Sequence, residues 1–162
     1  MKEINGTVII AGDDVTTDMI CPEKYRNGKK TDITRHVFAD HPQLSPKSVN
    51  GATVIVAGER FGLGPDPENT ARALLTAGVK CVIARSFPRE FFRPALNVGL
   101  PLLTADLSKR VSAGDEVTVN LKKGVIVNGG DELSVGKYPE RVLRIIQHGG
   151  LYNALRKELG KD

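Results

Sequence analysis

The chain has 162 residues, no tryptophan and only two cysteines, Cys21 and Cys81. They form no Cys-X-X-Cys pair and no histidine cluster accompanies them, so too few ligands exist for a zinc or iron–sulfur site built wholly within this chain. The pair reads as one loop thiol and one core thiol. Any metal in the chemistry has to come from a partner. Long apolar runs are missing as well. Nothing approaches the roughly 20 residues that cross a bilayer, and Met1-Lys2-Glu3-Ile4-Asn5-Gly6 lacks the apolar region of a signal peptide. A cytoplasmic protein with no membrane partner is therefore expected. Aromatic residues make up only 5% of the chain and do not interleave with a basic stripe. The formal charge of +4 arises from lysines and arginines scattered among 19 acidic residues. The densest basic group, Arg156 and Lys157 with Lys161, reads as the polar side of a terminal helix. No nucleic-acid partner is expected from this pattern; a mildly basic balance suits an anionic small molecule.

What is present is enough apolar sequence for a core. With 40% apolar and 26% charged residues, no repeats and no low-complexity linker, residues 1–162 suit a single domain. Its most informative stretch begins with a strand-like run, Ala52-Thr53-Val54-Ile55-Val56-Ala57. That run feeds a loop with glycines at Gly58, Gly62 and Gly64, and the loop runs into a helix start at Asp66-Pro67-Glu68. A glycine-relaxed loop ahead of a helix N-terminus can hold an anion or a reacting oxygen. Asp66 is placed to cap the free amides, Pro67 suits the first helical position, and Glu68 complements the helix dipole. Ala71, Leu74 and Leu75 keep helical spacing, and Gly78 suits a left-handed end. Cys81-Val82-Ile83-Ala84 then reads as a buried strand.

The same alternation extends in both directions. Gly6-Thr7-Val8-Ile9-Ile10-Ala11 is strand-like and ends at Gly12. The polar loop after it, Asp13-Asp14-Val15-Thr16-Thr17-Asp18, places three carboxylates and two hydroxyls beyond a strand end, where α/β scaffolds carry sites. The same groups could equally serve as turn and backbone partners. Thr31 or Asp32 opens a short helix through Ile33, Val37 and Phe38, and residues 41–46 read as a connecting loop. Pro88 starts a helix with Phe91, Phe92, Ala95 and Leu96 on its apolar face, followed by Gly99 and a short strand at Pro101-Leu102-Leu103. Residues 116–121 and 124–127 flank Lys122-Lys123 as a hairpin. A helix from Pro139 through Ile146, a Gly149-Gly150 break and an amphipathic helix from Leu151 to Leu159 complete the chain. His36, His41 and His148 show no ligand spacing and read as surface or capping residues.

In order and spacing these segments resemble the small subunit of isopropylmalate isomerase (3-isopropylmalate dehydratase), equivalent to the swivelling domain of the aconitase superfamily. The resemblance rests on the Gly12 to Asp18 loop with Pro22 and Tyr25, the Gly58 to Gly64 loop, and Ile83-Ala84-Arg85-Ser86-Phe87 with Phe91, Arg93 and Asn97. Gly99-Leu100-Pro101, Gly114-Asp115 and Gly149-Gly150-Leu151 extend it over nearly the whole chain. It implies an α/β fold of three layers, β/β/α, of the aconitase C-terminal type. It also implies a larger partner subunit whose cysteines hold a [4Fe–4S] cluster, with none bound by this chain. The reaction implied is dehydration of a hydroxy-dicarboxylic acid and rehydration at the neighbouring carbon. Self-association of the isolated chain is left open.

One segment departs from the pattern. The family loop usually reads Gly-X-Gly-Ser-Ser-Arg-Glu, with a serine as base and an arginine on substrate carboxylate; here Pro65, Asp66 and Pro67 stand in those places, followed by Glu68. Proline cannot act as a base, and a lost arginine contact to an anion is worth roughly 1.5–3 kcal/mol. Three explanations compete: Asp66 serves as the base; the partner supplies it or the substrate has one fewer carboxylate; or the domain has lost catalysis and serves assembly or regulation. Homoaconitase and dimethylmalate dehydratase small subunits are the alternatives within the reaction class. The resemblance makes Asp66 the candidate catalytic residue. Arg26, as carboxylate clamp, with Thr17, Asp18, Gly62, Gly64, Arg85 and Ser86, are the candidate substrate contacts. Arg89 and Arg93 lie on the next helix, where Arg93 reads as a tie between helix and loops.

Overall fold

Thr53–Ala57 presents only apolar and β-branched side chains, so both of its faces must be covered, and every residue of it is buried. It forms β2 of the computed structural model, which describes residues 3–160; Met1, Lys2, Lys161 and Asp162 lie outside the described residues. The other strands are β1 (Ile4–Gly12), β3 (Val79–Ala84), β4 (Leu102–Thr104), β5 (Glu116–Asn120), β6 (Val125–Asn128) and β7 (Asp131–Ser134). They make one curled seven-stranded sheet in the order β4-β3-β2-β1-β5-β6-β7. β1 to β4 run parallel, with Val8 beside Val54 and Ile55 beside Val82. β5 joins β1 antiparallel, opposite Ile4 to Thr7, and continues as the meander β5-β6-β7.

Strand alternation sorts the core into two packed groups. Ile55, Ala57, Val82 and Ala84 meet the helices through Leu74, Phe91 and Ala95. Val54, Val56, Cys81 and Ile83 meet Val117, Val119, Ile126 and Leu133 of the meander. Helices, parallel strands and meander are therefore the three layers of a β/β/α arrangement. The helices are α1 (Thr17–Ile20), α2 (Lys30–His36), α3 (Pro67–Ala77), α4 (Arg89–Asn97), α5 (Glu140–Gln147) and α6 (Leu151–Glu158). Among the described residues, no helix is long and apolar enough to cross a membrane.

Three differences from the sequence reading concern elements. The helix expected through Val37 and Phe38 ends at His36, and Phe38 takes left-handed backbone at φ 60. β7 was not expected, because Asp131-Glu132-Leu133-Ser134 offers one buried apolar side chain, too little for an alternation signal. The loop expected at residues 13–18 ends inside α1 (Thr17–Ile20), which is started by Thr16 Oγ1 accepting from the Met19 amide at 3.1 Å.

Candidate active site

The carboxyl ends of β1, β2 and β3 release three loops that are stitched together by backbone hydrogen bonds. The Gly58 amide donates to the Gly12 carbonyl at 2.9 Å, the Asp14 amide to Glu59 at 2.8 Å, the Arg85 amide to Gly58 at 3.0 Å and the Thr17 amide to Leu63 at 2.9 Å. Three residues here hold left-handed backbone without being glycine: Asp14 (φ 54), Arg60 (φ 55) and Asp66 (φ 59). Such conformations are uncommon outside glycine and persist where surrounding contacts hold them.

The first group of side chains centres on Arg26, which follows a single 3-10 turn at Glu23–Tyr25. A free guanidinium would not be left without water, so a buried one must be paired. Arg26 is 2% exposed. Its Nε donates to the Cys21 carbonyl at 2.9 Å, one terminal nitrogen donates to Asp18, and the other faces Asp66 Oδ2 at 3.9 Å. Asp66 closes the arrangement from the solvent side, with its side chain 40% exposed and a hydrogen bond from Asn69 Nδ2 at 3.2 Å. Thr17, next to Asp18, is fully buried, and its hydroxyl has no hydrogen-bond partner. It lies against Gly64, where an added Cβ would come within 2.5 Å of Thr17 Oγ1. Gly62 is equally constrained: with φ at +95°, its Cβ would reach 2.4 Å from the Phe91 ring. The structure thus brings together Thr17, Asp18, Arg26, Gly62, Gly64 and Asp66.

Arg85 and Ser86 belong to a neighbouring group. Arg85 lies 3.5 Å from Glu59 and 3.8 Å from Asp106. Ser86 Oγ donates to Glu59 at 2.7 Å and accepts from the Arg60 amide at 2.9 Å. Arg60 pairs with Asp14, and its hydrogen bond and charge hold the Asp14 carboxyl below the usual carboxylate range. Hydrogen bonds from Ser108, and then Arg85, hold Asp106 down in the same way. A hollow of about 270 Å³, lined by Gly12, Asp13, Gly58, Arg85 and Ser108 among others, opens here. Glu59, Arg60 and Asp106 were missed by the sequence reading. Glu59 and Arg60 stood inside the quoted loop, but their partners lie far away along the chain, and no motif marks Asp106.

Four expectations require correction. Asp66 does not cap α3: its side chain makes no cap hydrogen bond. A capping carboxylate needs extended backbone to reach the next amides, whereas the left-handed turn at Asp66 aims it at Asn69 and Arg26. Cys21 lies in the loop after α1, as expected, but it is not exposed there. Both cysteines are fully buried, and burial pushes Cys21 up to about 11 and Cys81 up to about 12. His41 is not at the surface: it is 8% exposed, with Nε2 at 2.8 Å from the Ala11 carbonyl and Nδ1 accepting from the Gln43 and Leu44 amides. Arg93 ties nothing; it makes no ion pair among the described residues and borders a hollow of about 290 Å³ with Phe87, Arg89, Phe92 and Thr104.

Protonated buried thiols are poor metal ligands, and among the described residues no group of three or more His, Cys, Asp or Glu side chains is placed to hold a metal ion. The described residues do not fit an iron–sulfur cluster.

Known proteins similar to this chain share its fold and nearly its full length. A family model for the aconitase C-terminal domain matches residues 10–107. The chain is 41% identical over 150 residues to a 3-isopropylmalate dehydratase small subunit from Archaeoglobus fulgidus, covering 90% of each protein. It is 39% identical over 163 residues to the isopropylmalate/citramalate isomerase small subunit of Methanocaldococcus jannaschii, covering 98% of this chain and 97% of that one. A crystal structure of 3-isopropylmalate dehydratase from Methanocaldococcus jannaschii superposes with a TM-score of 0.87 at 36% identity, covering 98% of this chain and 96% of the other.

Proposed function

The chain belongs to the family of 3-isopropylmalate dehydratase small subunits, and from that premise we propose that it is the small subunit of a hydro-lyase acting on a hydroxy acid. A larger subunit completes the enzyme, and a [4Fe–4S] cluster, held there, would supply Lewis acidity to the substrate hydroxyl. The observation that carries the reading is the convergence of Asp18, Arg26 and Asp66 on the Gly62–Gly64 loop at the carboxyl ends of the parallel strands.

In this reading the chain supplies position and a proton acceptor. Gly62 and Gly64 lower the loop so that a substrate can approach its backbone. Asp66 is the ionisable group at the loop's apex, exposed enough to meet a substrate carbon and fixed by Asn69 and Arg26; it removes the proton from the carbon beside a carboxylate. Asp18 holds Arg26 so that the guanidinium orients Asp66. Arg85 and Ser86 border the adjacent hollow and bind the remainder of the substrate.

A second reading is favoured by one observation: Arg26 is already engaged on all sides and prolines flank Asp66, which also suits a domain kept for assembly. Anaerobic reconstitution with the large subunit separates the two. Ultraviolet absorbance of the alkene is followed from 3-isopropylmalate and related hydroxy acids. Turnover requiring both chains supports the hydro-lyase. A verified complex with an intact cluster and no turnover on the whole panel favours the assembly domain.

A further inference from the structure

Each of the three arginines on these loops is already answered by a carboxylate of the chain itself. Arg26 meets Asp18 and Asp66, Arg60 meets Asp14, and Arg85 meets Glu59 and Asp106. These carboxylates outnumber the three arginines, so none of the three offers an incoming anion an unspent positive charge. Arg89 and Arg93 do not alter this, since they border a separate hollow beside Phe87 and Phe92.

The decisive position is Arg26. Its guanidinium is covered by the Cys21 carbonyl and by two partly exposed carboxylates, Asp18 in direct hydrogen bond and Asp66 at 3.9 Å. A substrate carboxylate could approach this buried arginine only by displacing one of the two carboxylates; Asp66, at 3.9 Å, is the more loosely held, and a carboxylate in its place would face Asp18 as well. We infer that Asp66 occupies the place of a substrate carboxylate, so that the substrate end meeting this subunit is uncharged: a hydroxyl, an amide or a comparable polar group. The substrate is then a hydroxy acid with one carboxylate fewer than 3-isopropylmalate. This rests on the hydro-lyase reading above and narrows its substrate class. The backbone supports the exchange. Asp66 keeps a left-handed conformation, φ 59, that brings its carboxylate back toward Arg26, where an extended residue would direct it to the helix amides.

The test is equilibrium binding to the assembled two-subunit complex, by calorimetry, of 3-isopropylmalate and its two mono-amides. The unsubstituted complex is expected to bind one mono-amide at least about tenfold more tightly than the dianion, the worth of one charge-assisted contact withheld. Asp66→Asn keeps the left-handed backbone, which asparagine tolerates well, and is expected to shift the ratio about tenfold toward the dianion; Asp66→Gly repeats the measurement without any side chain. Binding of the dianion as tight as or tighter than both mono-amides would overturn the inference, as would a ratio unmoved by both substitutions. Binding of none of the three acids overturns it too. Turnover is scored separately: selective binding of a mono-amide without alkene formation from any acid defeats the hydro-lyase reading and leaves the charge inference standing.

Discussion

At the amino ends of the parallel strands, a hollow of about 680 Å³ is lined by Ile4, Leu75, Val79, Pro101 and Ile146, together with Lys80. At the carboxyl ends the hollow is about 270 Å³, yet the loops around it carry the left-handed aspartates and arginine, the buried guanidinium and the cross-loop ion pairs. Volume marks where helices leave strands uncovered. Chemistry collects where backbone strain and paired charges are held together by a rigid sheet. If that contrast is right, substitutions at the carboxyl end change stability and turnover, and those at the amino end change neither beyond local packing.

The largest effect is expected from Arg26→Met. It leaves the Cys21 carbonyl, Asp18 and Asp66 without their shared donor; both carboxylates are partly exposed and regain water, so losing the charge-assisted hydrogen bonds of the buried guanidinium costs about 3 kcal/mol. Urea denaturation measures it; a loss below about 1 kcal/mol would mean that Arg26 is not the keystone of this end. Asp66→Asn sharpens the comparison from the other side. The proton acceptor disappears, so turnover of the reconstituted enzyme should fall by about 10²–10⁴, while the half-exposed position limits the loss of stability to about 1 kcal/mol. Steady-state kinetics and denaturation on the same preparation separate the two effects.

Gly62→Ala comes next. The new Cβ meets the Phe91 ring at 2.4 Å on a backbone with φ +95°, and steric conflict plus left-handed strain should cost about 2–3 kcal/mol, read as a lower melting temperature. Arg60→Ala tests the exposed Asp14 pair, with a definite sign. The folded-state pKa of Asp14 is depressed, so its contribution is present above the unfolded value of about 3.9 and is lost as pH falls through the lower folded value. The variant and the parent should therefore differ by a small constant amount near neutrality and converge in acid below about pH 3.9; curves that diverge there would refute the pairing. Smallest of all is Lys80→Ala at the amino-end hollow, expected within about 0.5 kcal/mol of the parent in stability and unchanged in kcat/KM.

The same contrast explains what was legible beforehand. Pro67 and Gly78 bracket α3 with signals that act within a few residues, and Thr53 to Val56 announce a strand covered on both faces, so these elements were read from the chain alone. Asp131 to Ser134 were not, since Leu133 is their only buried side chain and the strand exists because β6 offers it a partner. In the site, Gly62, Gly64, Asp18, Arg26 and Asp66 were found as candidates. The pairing of Glu59 with Arg85, or of Arg60 with Asp14, left no trace in sequence because its partners come from different loops.

Local propensity and residue type, acting between near neighbours, determined most of the strands and helices and the glycine loop with its prolines; the resemblance of motif order added the family. Those choices need only backbone sterics and apolar periodicity. Tertiary structure alone decided that Cys21 and His41 are buried, that Asp66 turns away from the helix it precedes, and that Arg26 lies between two carboxylates. Burial and the choice of an ionic partner depend on distances through space, and those arise only when the sheet has brought its three loops to one edge.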